Sequence, residues 1–462
     1  MIGIKEFAIL KLYGQRNIVL KFEKNILILV GENGSGKTTI LRMMYLFLSG
    51  RWLALLRYDF EGISVSFTAK TKITVKKDLI ISLLQESMKD PRFLHEFPSP
   101  IRHRYFDLIE DGIESSDLFG KRNVERFHFD FLLSKIPSDL VLQAHSKELK
   151  LLQETIGKTS ILYLPTYRRI EKELNAIFRG VDEDDLRRKR AFANKDITPQ
   201  GIKSYEIIEF GMRDIKDSIE RMSAELNQFV SDGLNRLTLH YLSDVVEQKY
   251  NDVDIIPIKN AKKESINNIL GRIDTNILSQ ISRNRLSDTI NDIRQKITSE
   301  EQLSEHEKVI CHYFARLLDF QKELDKKEER IKKFCDVCNT YIVDKCFYYD
   351  SSSFKAYIRQ AFIQDTIPEK SLDLEELSSG EKQIVSLFSN LYLATDEHFF
   401  VMIDEPELSL SVPWQQHFLV DISKANCCDG LIAVTHSPFI FRNELELYVH
   451  GLVEFTRGSY NP

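Results

Sequence analysis

Residues 26–38 read Ile26-Leu27-Ile28-Leu29-Val30-Gly31-Glu32-Asn33-Gly34-Ser35-Gly36-Lys37-Thr38. The five consecutive apolar residues leave no polar face, the pattern of a strand inside a parallel sheet covered on both sides. Beyond the glycines, apolar residues recur at Ile40, Leu41, Met44, Tyr45 and Leu48, which predicts a helix over 38–48. Strand, glycine loop and helix, with Lys-Thr at the helix start, satisfy GxxxxGK[ST] in the context that gives the pattern its meaning. Glycines let backbone N–H groups close around phosphates, and the helix N-terminus adds the positive end of its dipole. Lys37 would reach the β- and γ-phosphates, and the Thr38 hydroxyl would ligate Mg²⁺. The expected ligands are therefore ATP and Mg²⁺, with Gly31, Asn33, Gly34, Ser35, Gly36, Lys37, Thr38 and Thr39 around them.

Three further stretches extend this reading toward the other end of the chain. His398-Phe399-Phe400-Val401-Met402-Ile403-Asp404-Glu405 is a buried strand that delivers two carboxylates at its C-terminal edge, where α/β ligand sites lie. Asp404 would hold Mg²⁺ and Glu405 would orient or deprotonate an attacking water. Leu431-Ile432-Ala433-Val434-Thr435 is another such strand, ending in His436. Upstream of both, Leu377-Ser378-Ser379-Gly380-Glu381-Lys382-Gln383 has a serine N-cap with Glu in the first turn and leads into an apolar helix.

Composition sets the limits. The chain has 462 residues, 43% hydrophobic and 29% charged, with 12 Pro and 19 Gly, which excludes a disordered or low-complexity protein. Lys and Arg number 63 against 69 Asp and Glu, a net charge of −6, so any nucleic-acid contact would need a local patch. Sparse cysteines, an N-terminus without signal-peptide layout and no long apolar run lead to the expectation of a cytoplasmic protein that spans no membrane. Cys335-Asp336-Val337-Cys338 lacks a second ligand pair and reads as buried reduced thiols rather than zinc.

Between the two ends, short strands are expected at Ile2–Phe7, Ile18–Phe22 and Ser160–Leu164, and a hairpin at Ile63–Thr68 and Lys72–Lys76 around Ala69-Lys70-Thr71. Asp182–Asp185 followed by Arg187–Arg190 reads as a solvated surface loop. Met212, Ile215, Ile219, Met222, Leu226 and Phe229 alternate spacings of three and four, as do Ile310, Tyr313, Leu317, Phe320 and Leu324, with Ile331 and Phe334 beyond them and Lys327 in an apolar slot. Two helices with matching seams should pack antiparallel or dimerise, each roughly 35–40 Å long.

In this order and spacing the elements resemble the ABC ATPases. Their signature is LSGGQ in transporters and LSxGE in the Rad50, SMC, RecF and OLD branch. Ser379 and Glu381 fit the second form. The resemblance implies an α/β fold: an ABC-type P-loop ATPase head with an antiparallel β subdomain and an α-helical, short coiled-coil insertion. The domains would be 1–200 with the phosphate loop, 201–345 as the insertion, and 346–462 with signature, Walker B strand and switch histidine. It further implies catalytic roles for Glu405, His436 and Lys37, and metal roles for Thr38 and Asp404. Ser378, Ser379, Gly380 and Glu381 would meet ATP held by a second copy in a head-to-tail dimer. Glu405–Leu410 resembles the D-loop, Pro165-Thr166-Tyr167-Arg168-Arg169 is a candidate for the Q-loop region, and Tyr13–Arg16 for the adenine side.

The long interval between Lys37 and Ser378 is unlike a transporter domain, and the short run after His436 is unlike OLD or Gabija nucleases, which append a Toprim domain there. The chain is most similar to ATPase subunits of two-component anti-phage systems, AriA of PARIS first and PtuA of Septu second. That likeness implies a higher homo-oligomer that holds a separately encoded nuclease effector, Toprim-like or, second, HNH, released by a phage protein or DNA trigger, with no nuclease in this chain. The competing expectation is a RecF- or Rad50-like repair clamp that binds DNA.

Overall fold

The computed structural model of the chain describes residues 2–88, 147–166, 196–197, 202–206, 212–252, 258, 280–299, 301–361, 372–393 and 398–457. The charge block 182–190 and Tyr167, Arg168 and Arg169 lie outside them. The chain forms two compact units, Met1–Phe210 with Thr395–Pro462, and Gly211–Ala394.

The first unit begins with β1 (Ile4–Leu12) and β2 (Arg16–Lys21), followed by β3 (Ile26–Val30) and α1 (Lys37–Leu48). Leu27, Ile28 and Leu29 are fully buried, as their unbroken apolar run requires. Helix α1 buries eight apolar side chains from Ile40 to Leu48 and stops at Ser49, followed by the left-handed Gly50. Strands β4 (Gly62–Phe67) and β5 (Lys72–Lys76) form the expected hairpin, closed by Phe67 N–H donating to Thr71 O, with Lys70 left-handed at the turn. After them come α2 (Lys77–Met88), α3 (Lys147–Ile156), β6 (Thr159–Leu164), β7 (Asp196–Ile197) and β8 (Lys203–Glu206). Strand β1 pairs antiparallel with β2 and β4, so its inward Phe7 and Ile9 line one core.

The second unit is built on α4 (Met212–Val246), α5 (Gln280–Thr298) and α6 (Glu305–Tyr341). Contacts of α4 with α6 run in opposite sequence directions: Phe229 stacks on Phe320, Tyr241 meets Tyr313, and Asp244 bonds His312. The seams therefore pack antiparallel within one chain. At 35 and 37 residues these helices run for about 50–55 Å, longer than the 35–40 Å read from the seams. The excess comes from turns beyond the regular apolar spacing, including the start of α6, which a reciprocal Ser304–Glu307 capping box fixes. Lys327, polar in an apolar slot, lays its ammonium 4.9 Å from the Phe229 ring centre. Cys335 and Cys338 are buried and free, and burial pushes both thiols up, Cys335 to about 12.

Next come β9 (Lys345–Asp350), β10 (Lys355–Gln360) and α7 (Ser379–Leu393). The C-terminal lobe expected from the sequence starts at 346, but β9, β10 and α7 cluster with the helices. The reason is packing: Phe347 of β9 sits against Phe334 of α6, and Phe388 of α7 against Tyr341.

The chain then returns to the first unit with β11 (His398–Asp404), α8 (Val412–Ser423), β12 (Cys428–Thr435), β13 (Val449–Gly451) and β14 (Thr456–Arg457). A seven-stranded sheet results, in the order β13-β3-β12-β11-β6-β8-β7, parallel except for β7, beside a five-stranded antiparallel sheet, β14-β2-β1-β4-β5. This is the α/β head with an antiparallel β subdomain and an α-helical insertion that the sequence leads one to expect. Asn25 joins the two sheets: its amide oxygen accepts from Ile4 N–H, and its NH₂ donates to the carbonyls of Ile2 and Asp429.

Candidate active site

Register alone assembles the site. Val30 lies opposite Thr435, Asp404 opposite Val434, and Ile403 opposite Leu164. The C-terminal ends of β3, β12, β11 and β6 are thus level, and the residues just beyond them, Gly31, His436, Glu405 and Thr166, emerge at one edge of the sheet.

The loop Gly31–Gly36 needs its glycines for backbone reasons. Gly34 and Gly36 have φ of 77° and 97°, and Gly36 caps α1. Lys37, 4% exposed, donates from Nζ to the carbonyls of Gly31 and Glu32, each at 2.8 Å, and so spans its own loop. Burial lowers the Lys37 pKa, opposed by the charges of Asp404, Glu405 and Glu407. Asn33 and Gly34 are exposed, while Gly31, Ser35, Gly36 and Thr39 are half-buried.

Asp404 is fully buried at the end of β11 and both of its oxygens are engaged. Oδ1 accepts from the Thr38 hydroxyl at 3.1 Å, and Oδ2 accepts from the Thr166 hydroxyl. Two hydroxyls and a carboxylate are hard oxygen donors of the kind Mg²⁺ selects. Among the described residues no group of three or more His, Cys, Asp or Glu could hold a metal. The residues present therefore fit Mg²⁺: Thr38 and Asp404 are the groups that would hold it, and Thr166 fixes the carboxylate. Bound there, the ion would neutralise charge on the phosphates.

Glu405 follows in a left-handed conformation, φ 49°, with its N–H donating to Val434 O. Burial raises its pKa first, and the neighbouring Asp404 and Glu407 charges add to the rise, against His436 and Lys37. A carboxylate with raised proton affinity at the edge of a phosphate site is suited to accept a proton from water. Glu407, in the loop beyond, accepts from the Thr435 hydroxyl at 2.7 Å and from His436 N–H at 2.8 Å. His436 itself is exposed.

The signature residues lie in the second unit. Ser378 and Glu381 form a reciprocal cap at the start of α7: Ser378 N–H donates to the Glu381 carboxylate at 2.6 Å, and Glu381 N–H to Ser378 Oγ at 3.3 Å. Glu381 is 7% exposed and also receives the Lys345 ammonium, so its carboxylate holds the helix start rather than facing a ligand. Ser379 stays exposed, next to buried Gly380. Tyr13, on the candidate adenine side, is exposed in a tight turn with φ 52°.

Sequence reasoning placed Thr166 and Glu407 only inside loops. Thr166 was legible in principle, because Pro165 ends β6 where a parallel partner of β11 must end. The placement of Glu407 has no signal in spacing, since it depends on the path of the loop after β11 toward the end of β12.

A stretch of 103 residues is 31% identical to the DNA replication and repair protein RecF of Rickettsia felis and, with the same figures, to that of Rickettsia rickettsii, covering 22% of this chain. The chain spans 26% of the length of these relatives. Across 98% of its length it is similar, at 12% identity and a TM-score of 0.33, to 93% of the Smc head domain with an extended coiled coil bound to the C-terminal domain of ScpA from Pyrococcus furiosus. The Smc head domain with a coiled coil and joint from Pyrococcus yayanosii matches over 98% of this chain and 95% of that one, at 12% identity and a TM-score of 0.29. No described helix is long and apolar enough to cross a membrane. Residues 11–441 match the family described as the AAA ATPase domain, a span that runs from β1 through the phosphate loop, Asp404 and Glu405 to His436; the chain belongs to that family, and its chemistry is that of an ATPase.

Proposed function

We propose that this is an ABC-type switch ATPase of the Rad50, SMC and RecF kind, in which two copies close head to tail over Mg²⁺-ATP. In this reading Lys37 and the loop N–H groups bind the phosphates, Thr38 and Asp404 hold Mg²⁺, Glu405 takes the proton of the attacking water, and His436 contacts the γ-phosphate. Ser379 and the Gly380 N–H of one copy would complete the site of the other. The observation that carries it is the Asp404 carboxylate, buried and tied to the hydroxyls of Thr38 and Thr166 with Glu405 beside it. The exposed Ser379 at the start of a capped 15-residue helix supports the second half.

For the output of the switch, we propose control of a separately encoded nuclease, PARIS-like, with the antiparallel helices of the second unit as the element that holds it, within a homo-oligomer in the cytoplasm. A second reading, a clamp on DNA, is favoured by the segment shared with RecF. ATP turnover of the pure protein, measured with and without duplex DNA and with and without the product of the neighbouring gene, separates them. Stimulation by DNA alone supports the clamp, and a stable complex with a nuclease neighbour that ATP dissolves supports the effector reading. No Mg²⁺-dependent turnover in any mixture would overturn the catalytic assignment itself.

A further inference from the structure

We infer that Glu407 is the positioning residue that holds His436 toward the terminal phosphate, acting through the backbone of His436 and the hydroxyl of Thr435. The inference rests on the proposed role of His436 and goes beyond it, because it names what aims the histidine.

At the end of β12 the chain leaves the sheet, and the ladder no longer fixes its direction. Glu407 supplies the missing constraint. One carboxylate oxygen accepts from the fully buried Thr435 hydroxyl at 2.7 Å, the other from His436 N–H at 2.8 Å. Charge-assisted bonds of this kind are stronger than neutral ones, and two of them on adjacent residues restrict the peptide plane that sets the direction of the His436 side chain. Thr435 Oγ1 in turn accepts from Ser437 N–H at 3.0 Å, and Ser437 Oγ donates to the Gln415 amide oxygen at 2.6 Å. The Gln415 NH₂ donates back to Leu410 O at 3.0 Å, and Leu410 N–H donates to Glu407 O at 3.1 Å. The bonds make a closed circuit between the loop after β11 and the loop after β12, so a displacement of residues 405–410 is passed to His436. Both Glu407 oxygens are thus engaged at the end of β12.

The test is a double-mutant cycle on ATP turnover with Glu407→Ala, His436→Ala and both together, with thermal midpoints recorded for each. Glu407→Ala should lower kcat roughly tenfold, the scale of one charge-assisted bond lost from the transition state, with KM for ATP within about twofold. In the His436→Ala background it should cost nothing further. The isosteric Thr435→Val, which removes one arm of the clamp, should give an intermediate loss and serves as the readout if Glu407→Ala does not fold. Equal multiplicative losses in both backgrounds, or no loss from Glu407→Ala and Thr435→Val, would overturn the inference while leaving His436 in its role. Unchanged turnover in His436→Ala would overturn the inference together with the reading it rests on, and is distinguishable by that single variant.

Discussion

At the level of single residues the site separates binding from chemistry. Lys37 is buried and gives its ammonium to two loop carbonyls, so its removal strips charge from the phosphate loop and also leaves those carbonyls without their donor. Lys37→Ala should weaken ATP binding by roughly 10–100-fold, the worth of one or two charge-assisted bonds; titration of the folded variant with a fluorescent ATP analogue reads it. Glu405→Gln should do the reverse. Loss of a positioned base costs about 10²–10⁴ in rate, while the phosphate contacts stay intact, so ATP should remain bound and unhydrolysed in single-turnover experiments. Wild-type turnover in that variant would move the base elsewhere.

Secondary-structure elements meet where small residues permit it. A Cβ at Gly430 on β12 would run into the Asn25 amide, held by its hydrogen bonds, and come within 2.7 Å of the fully buried Phe400 ring. Gly430→Ala should therefore lower stability by about 1–3 kcal/mol, read as a loss in denaturant midpoint. In the second unit, the Ser304–Glu307 box and the Lys296 ammonium hold the Glu307 carboxyl down at about 2, with Lys296 the larger cause. Because the folded pKa is depressed, this stabilisation is present above the ordinary value of 4.5 and is lost as pH falls from there toward 2. Protection factors at the start of α6, that is exchange corrected for its intrinsic pH dependence, should fall across that window in the native protein and stay level in Glu307→Gln. The bounds of β3 and the C-terminal ends of β6, β11 and β12 were legible because a doubly covered strand stays apolar almost to its end, and β5 showed in its alternation of exposed and buried residues. The lengths of α4 and α6 were not, since Ser304 and its cap lie outside any apolar seam. The grouping of α7 with the helices was equally hidden, for it rests on Phe388 reaching Tyr341 across distant sequence.

For the whole molecule, the proposed dimer predicts complementation. A mixture of Lys37→Ala with Ser379→Arg should regain part of the turnover each lacks, because one of the two sites in a mixed dimer carries neither lesion. No recovery in mixed dimers of demonstrated composition would count against sharing of sites between copies. The candidate site was legible in the strand ends but not in the ties among them. Asp404, Glu405 and His436 announce themselves by position, whereas Thr166 and Glu407 acquire their partners only when β6, β11 and β12 lie side by side.

The parallel sheet also sets a timetable for biosynthesis. Strand β3 is made long before both of its neighbours, β12 and β13. During translation the phosphate-loop strand therefore waits with two bare edges, apolar on both faces, while the helices of the second unit can already fold on local contacts. Nascent chains arrested before β12 should hold a protease-resistant helical unit and an unprotected N-terminal segment that engages chaperones. Nucleotide-binding competence would then arrive in a single late step, when the returning strands slot in beside β3.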